Sequence, residues 1–135
     1  MRRLAVAGVF LVAAPGVAAH AASAPPGRVQ VTAREFGLSL SRLTLRPGPA
    51  IVELVNNGED DHDLRLQRIG GGPELSVPVT SAGDHSDLAA TLASGRYRVW
   101  CSIADHAARG MRATLLVRRS GAPPFRAQVS RSGRR

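Results

Sequence analysis

The sequence is poor in cysteine, lysine and helical pattern. It contains one cysteine, Cys101, so no disulfide bond within the chain can stabilise its fold. It contains no lysine, and all 18 basic residues are arginine, which we interpret mainly as coding bias. No segment sustains the roughly 3.6-residue period of an amphipathic helix, and no internal repeat is present. Neither a helical bundle nor a repeat array is therefore expected.

The one long apolar run lies at the N-terminus. Arg2 and Arg3 precede an apolar segment over residues 4–19, and small residues follow it in an Ala-x-Ala pattern, which is the layout of a secretory signal peptide. The run carries Pro15 and is shorter than the roughly 20 residues of a membrane-spanning helix, which argues against a retained anchor. We predict a signal peptide over residues 1–21, with cleavage as late as residue 24 as the alternative. The protein is then exported to the periplasmic, extracellular or cell-envelope side of a bacterial membrane, by the general secretory or the twin-arginine route.

The remainder is about 110 residues, enough for one domain with a modest core. Its composition, 44% hydrophobic and 21% charged, is that of an ordinary globular protein. A single thiol that is exported into an oxidising compartment is expected to be buried or bound to a metal.

Short stretches of alternating apolar and polar residues, separated by turn residues, predict β-strands. We expect strands within residues 28–36, 38–45, 50–55, 62–69, 88–92, 96–101 and 111–117. Residues 74–84 are interpreted as a loop excursion with a short strand over 75–79. The pattern predicts an all-β, antiparallel sandwich of about seven to eight strands over residues 28–118.

The C-terminal residues 119–135 are rich in Ser, Gly, Pro and Arg and lack apolar periodicity. We predict a disordered basic tail. A solvated tail without a specific role is the favoured interpretation, and contact with an anionic surface is the alternative. No nucleic-acid partner is expected.

Three side chains with soft donor atoms fall in one short loop. Cys101, His106 and Met111 offer a thiolate, an imidazole and a thioether, and His62 supplies a second imidazole about forty residues upstream. Soft ligands select copper, and two His and one Cys in a plane with a weak axial Met form blue-copper sites. Each residue alone is better explained as core or surface, but their joint spacing is not. His85 fits no such pattern and is expected at the surface.

The chain resembles the cupredoxins of the plastocyanin-like type. The resemblance rests on the segments Tyr97 to Ser102, His106, Gly110-Met111, the strand over 113–117, and the upstream set of Asn56, Gly58, His62 and Asp63. The chain departs from the family pattern at Ala104-Asp105, where Pro-Gly often precedes the loop histidine. The resemblance implies a Greek-key sandwich and one type 1 copper per chain, with His62, Cys101, His106 and Met111 as metal ligands. It also implies a hydrogen bond between Asp63 and Ser102.

The function implied by this resemblance is transfer of single electrons between redox partner proteins, by a monomer that is not an enzyme. A multicopper oxidase or a copper nitrite reductase would need additional His-x-His pairs, and the chain has none. Copper binding or delivery, and a metal-free cupredoxin-fold binding module, remain as alternatives. Carboxylates beside His62, at residues 59–61, predict a docking face for a basic partner or form only a polar turn. Metal bonds of roughly 2.0 and 2.3 Å predict that the two imidazole nitrogens and the sulfur lie about 3.5 to 4 Å apart.

Overall fold

The structure is a computed structural model, and it describes residues 24–121. The predicted signal peptide and residues 122–135 of the predicted tail lie outside the described residues. Within 24–121 the chain forms nine strands and one short helix: β1 (Gly27–Arg34), β2 (Gly37–Leu40), β3 (Thr44–Leu45), β4 (Gly48–Asn56), β5 (His62–Arg68), β6 (Glu74–Thr80), β7 (His85–Leu92), β8 (Gly95–Trp100), α1 (His106–Arg109) and β9 (Arg112–Val117). No helix in this part of the chain has the length and hydrophobicity to cross a membrane.

The strands form two sheets packed face to face, so the predicted sandwich is confirmed. One sheet has the order β2-β1-β4-β7, and the other has the order β3-β9-β8-β5-β6. The sheets are mixed and not purely antiparallel as expected, because β1 pairs with β4 in parallel and β3 pairs with β9 in parallel. A parallel pair needs a long connection, which β2 and β3 supply between β1 and β4.

Two strand assignments differ from those expected. The stretch over 38–45 splits into β2 and β3, which belong to different sheets. Residues 74–80, expected as a loop excursion with a short strand over 75–79, form the edge strand β6, which extends the expected strand by one residue at each end and is paired on one side only. Among its apolar side chains only Val77 is buried, and Pro78 fits an edge strand because one side of its backbone has no partner. Half-exposed edge strands therefore show weak alternation in the sequence.

The core lies between the two sheets and is built by the inward residues of each strand. In β1 these are Val29, Val31 and Ala33, and in β4 they include Val52 and Leu54, all at most 1% exposed. Burial of each such Val or Leu side chain stabilises the fold by about 1.5–3 kcal/mol relative to exposure. The alternation of β1 and β4 thus sets which face of their sheet packs inward.

The directions of the strands bring several polar segments to one end of the sandwich, called here the site end. β1, β4 and β8 finish at this end, and β5 and β9 begin there. The site end therefore carries residues 35–36, 56–63 and 101–111, which hold every predicted metal ligand.

Candidate metal centre

His62, Cys101 and His106 meet at the site end, although they come from two distant parts of the sequence. His62 is the first residue of β5, Cys101 follows the last residue of β8, and His106 begins α1. The Cys101 Sγ atom lies 4.0 Å from Nδ1 of His62 and 3.7 Å from Nδ1 of His106. One ligand atom from each residue lies within 4.8 Å of the other two. Two of the three separations match the spacing of about 3.5 to 4 Å expected of ligands around one ion.

The orientation of the imidazoles fits a metal better than a set of hydrogen bonds. Both Nδ1 atoms point at one sulfur, whereas a thiol has a single weak donor hydrogen to share between them. His62 and Cys101 are completely buried and His106 is 7% exposed, so solvent does not compete for these atoms. A thiolate and two imidazoles are the donor set of a type 1 copper plane.

Met111 belongs to the same buried cluster as Cys101 and is itself completely buried. Its backbone carbonyl accepts a hydrogen bond of 3.1 Å from Cys101 N–H, and its N–H donates to the His106 carbonyl at 3.0 Å. These bonds close the loop from Cys101 to Met111 and place the methionine backbone beside both ligands. Together the four residues fit a single type 1 copper site, and axial ligation by Met111 stays a prediction.

The loop is compact without the Pro-Gly pair. Ala104 adopts a positive φ of 41°, and His106 N–H donates to the Ile103 carbonyl at 3.1 Å. Gly110 ends α1 with a φ of 131°, where a Cβ atom would lie 2.8 Å from the Phe36 carbonyl oxygen. A left-handed turn and a close backbone approach therefore both require glycine at this position.

The hydrogen bond expected between Asp63 and Ser102 is confirmed. Ser102 N–H donates to Asp63 Oδ1 at 2.6 Å, and the Ser102 hydroxyl donates to Oδ2 at 2.5 Å. Arg65 Nε–H also donates to Oδ2, at 3.0 Å. Burial opposes ionisation of Asp63, but the bonds from Ser102 and Arg65 outweigh it and hold the pKa of this carboxyl below its usual value. A charged carboxylate thus ties the neighbour of His62 to the neighbour of Cys101.

Burial also raises the pKa of the Cys101 thiol above its ordinary value, with the nearby Asp63 charge as a smaller contribution. A cation at the centre would replace the thiol proton and stabilise the thiolate.

Sequence reasoning missed Glu35, the residue that follows β1. Its Oε1 atom lies 3.0 Å from Nε2 of His62, on the side of the ring away from Cys101. The same oxygen accepts hydrogen bonds of 2.8 Å from the N–H groups of Glu59 and Asp60. No local motif predicts this contact, because Glu35 and His62 are 27 residues apart in the sequence. They come together only through the pairing of β1 with β4.

Phe36 was likewise not expected at the site. Its ring meets the His106 ring edge to face with centroids 5.1 Å apart, and the Arg109 guanidinium lies 3.3 Å from the Phe36 centroid. The turn at 35–36 thus supports one imidazole by a hydrogen bond and the other by ring packing. His85 is exposed at the start of β7, as expected of a surface residue.

The site end carries several acidic side chains, one of which lies close to His106. Asp60 Oδ2 lies 4.0 Å from His106 Nε2. Glu59, Asp61 and Asp105 are also exposed at the site end. These four carboxylates are called here the acidic rim.

Comparison of the fold with solved structures gives clear matches. Auracyanin from the photosynthetic bacterium Roseiflexus castenholzii superposes with a TM-score of 0.57 at 16% identity, over 71% of this chain and all of that one. Auracyanin A from Chloroflexus aurantiacus, described as a "blue" copper protein, matches with a TM-score of 0.54 at 16% identity, over 69% of this chain and 99% of that one. The chain has the cupredoxin fold.

This cupredoxin sandwich also occurs within larger proteins. A multicopper oxidase matches with a TM-score of 0.54 at 10% identity, and the superposition covers 69% of this chain but 45% of the oxidase. No protein-family model matches the chain, and no curated protein matches its sequence. The similarity therefore lies in the fold and not in overall sequence.

Proposed function

We propose that this protein is an exported type 1 copper protein that carries single electrons between redox partners. The observation that carries the proposal is the convergence of two Nδ1 atoms and one buried thiol sulfur at the site end. The match to an auracyanin described as a "blue" copper protein supports the same function. Export is proposed from the sequence of residues 1–21 alone.

His62, Cys101 and His106 would hold the copper through two imidazoles and a thiolate, and Met111 would offer a thioether as a weaker fourth ligand. Bound copper supplies a reversible one-electron couple. The ligands sit on strand ends and on a loop closed by backbone hydrogen bonds, so the protein fixes their positions whichever oxidation state is bound. Burial of the thiol and of His62 keeps water away from the centre. These features favour a small rearrangement of the ligands when the copper gains or loses an electron.

His106 offers the route for electrons to and from the surface. It is 7% exposed, whereas His62 and Cys101 are completely buried. The exposed Ala104 and Ala108 and the partly exposed Ala107 lie beside it and provide a small apolar contact area for a partner. Burial of the three ligand residues suits a carrier, which exchanges electrons through its surface and binds no substrate at the metal.

The acidic rim favours a basic partner. The whole chain has a formal charge of +8, and Arg2 and Arg3 of the predicted signal peptide contribute two of these charges, so the exported protein keeps a net positive charge. Arg42, Arg46, Arg118 and Arg119 line one pocket near the start of β4 and the end of β9, at the end of the sandwich opposite the site. Carboxylates at the site end and arginines at the opposite end therefore give the sandwich a charge asymmetry, and an asymmetry of this kind orients the encounter with a basic partner.

The test is the absorption spectrum of the purified protein after addition of Cu(II). An intense visible band from charge transfer between thiolate and copper is expected, with one copper per chain. Cys101→Ser should abolish the band, and His85→Gln, which removes the exposed histidine outside the site, should leave it unchanged. A protein that takes up one copper and stays colourless would contradict the proposal and favour a copper-delivery function.

A further inference from the structure

The contact between Glu35 and His62 fixes how the imidazole faces the centre. With Nε2 only 3.0 Å from Glu35 Oε1, the ring carries its hydrogen on Nε2 and donates it to the carboxylate. The lone pair of a neutral His62 ring is then on Nδ1, which faces the Cys101 sulfur at 4.0 Å. Glu35 therefore selects the tautomer that can bind a metal.

The carboxylate is itself firmly held. Its Oε1 atom accepts N–H groups from Glu59 and Asp60, in addition to the His62 ring. The hydrogen bond from the Asp60 N–H, above all, lowers the pKa of Glu35 to about 2, and the bond from the Glu59 N–H adds to this effect. Burial opposes the shift. Gly58 completes the cradle, because a Cβ atom there would lie 2.3 Å from Oε1. The backbone over 58–60 thus holds the charged Oε1 atom of Glu35 in contact with His62.

We propose that Glu35 is a positioning residue for the metal, one that orients His62 and sets the reduction potential of the centre through its charge. The inference rests on the proposed copper function. A carboxylate bonded to a ligand imidazole raises the basicity of that ligand. Its negative charge, one imidazole ring away from the ion, favours Cu(II) over Cu(I). Glu35 therefore lowers the reduction potential.

A purely structural role, in which Glu35 only holds the turn over 56–62, makes a different prediction. Glu35→Gln keeps one oxygen that can accept the same three N–H groups, and it replaces the charged carboxylate by a neutral amide. Glu53→Gln is the matched control, since it removes the same charge from β4, away from the site end. A structural role predicts equal potentials for both variants, whereas the positioning role predicts a change at Glu35 alone.

The decisive experiment is a redox titration of the copper-loaded full chain against a fixed mediator couple. Glu35→Gln should retain the visible band and shift the equilibrium severalfold toward Cu(I), and Glu53→Gln should match the unsubstituted protein. Glu35→Ala should in addition lower copper affinity by about 10- to 100-fold. Equal equilibria in Glu35→Gln and the unsubstituted protein would overturn the inference and leave the blue-copper assignment standing.

A second measurement needs no copper. Nitrogen NMR of the metal-free protein should show His62 with its hydrogen on Nε2, in the unsubstituted chain and in Glu35→Gln. In Glu35→Ala a mixture of tautomers is expected, and an unchanged His62 signal there would contradict the orienting role. Failure of the unsubstituted protein to bind copper would overturn the proposed function and the redox part of this inference, while the NMR result would still decide whether Glu35 orients His62.

Discussion

Asp63 and Ser102 join the two segments that carry His62 and Cys101. The Asp63 carboxylate accepts both the backbone N–H of Ser102, at 2.6 Å, and its hydroxyl, at 2.5 Å. Asp63 is 2% exposed, so water does not compete for these bonds. Because each partner is the chain neighbour of a predicted metal ligand, the bonds between them hold His62 and Cys101 together without a metal.

Replacement of Asp63 should cost more stability than replacement of Ser102. Asp63→Ala leaves the Ser102 N–H without its charged acceptor, and we expect a loss of about 2–4 kcal/mol in the free energy of unfolding. Ser102→Ala removes the hydroxyl alone and should cost about 1 kcal/mol. Denaturant unfolding of the two metal-free variants measures both values. Equal losses would show that the backbone bond contributes nothing.

Gly58 should be required for stability because the Glu35 carboxylate occupies the space that a larger side chain would need. In Gly58→Ala the new Cβ atom would lie 2.3 Å from Glu35 Oε1, and the carboxylate, at the end of a flexible side chain, would swing away. The loss of its hydrogen bonds should lower the free energy of unfolding.

Gly37→Ala is the control for this substitution, because a Cβ atom there meets nothing within 4 Å. It should change stability by less than about 1 kcal/mol. In a Glu35→Ala background the cost of Gly58→Ala should largely disappear, as a double-mutant cycle would measure. A cost that persists in that background would mean that Gly58 is required for another reason.

The convergence of His62, Cys101 and His106 was predictable from sequence, and the residues that support them were predictable only in part. Cys101, His106 and Met111 lie within one loop, so local spacing groups them, and the Asp63–Ser102 bond followed from a family resemblance. Glu35 contacts His62 only because β1 runs beside β4, and strand pairing of that kind depends on the whole sheet. A glutamate at a strand end has no distinctive signal of its own.

Strand positions show the same limit. β4 alternates cleanly because one of its faces lies on the core, and its position was predicted to within two residues. β6 fully buries a single apolar side chain, Val77, and Leu75 is only partly buried, so its sequence predicted no more than a short strand within a loop. Alternation of apolar and polar residues reflects the burial of one face of a strand, so edge strands are harder to predict than central ones.

Substitution of Met111, the predicted axial ligand, should change the reduction potential of the copper without preventing copper binding. Met111→Gln is expected to retain copper and the visible band, and to shift the reduction potential, because the axial ligand modulates a type 1 site. Met111→Leu keeps an apolar side chain of similar size in this completely buried position and removes the sulfur. Copper stoichiometry and redox titration of both variants test this. Complete loss of copper from Met111→Gln would make Met111 a principal ligand and the site one of another kind.

The acidic rim should govern the rate of electron exchange with charged reagents. Asp60 lies 4.0 Å from the exposed nitrogen of His106, so its charge acts where electrons are expected to leave. Asp60→Asn should slow the reaction with hexaammineruthenium, a cation, and speed the reaction with ferricyanide, an anion, each by about two- to fivefold at low salt. Asp87→Asn, an exposed position on β7 outside the site end, is the matched charge control and should have little effect.

The dependence of the rates on salt concentration distinguishes electrostatic steering of the reagents from a change in the driving force of electron transfer. Asp60→Asn also alters the reduction potential, but a change in potential shifts a rate without changing its dependence on ionic strength. Steering weakens as the screening length falls to roughly 3 Å at 1 M salt. The effect of Asp60→Asn on both reagents should therefore shrink steadily as salt is added. If it persists at high salt, or if Asp87→Asn has an equal effect, the acidic rim does not direct partners to His106, and the carboxylates at 59–61 form only a polar turn.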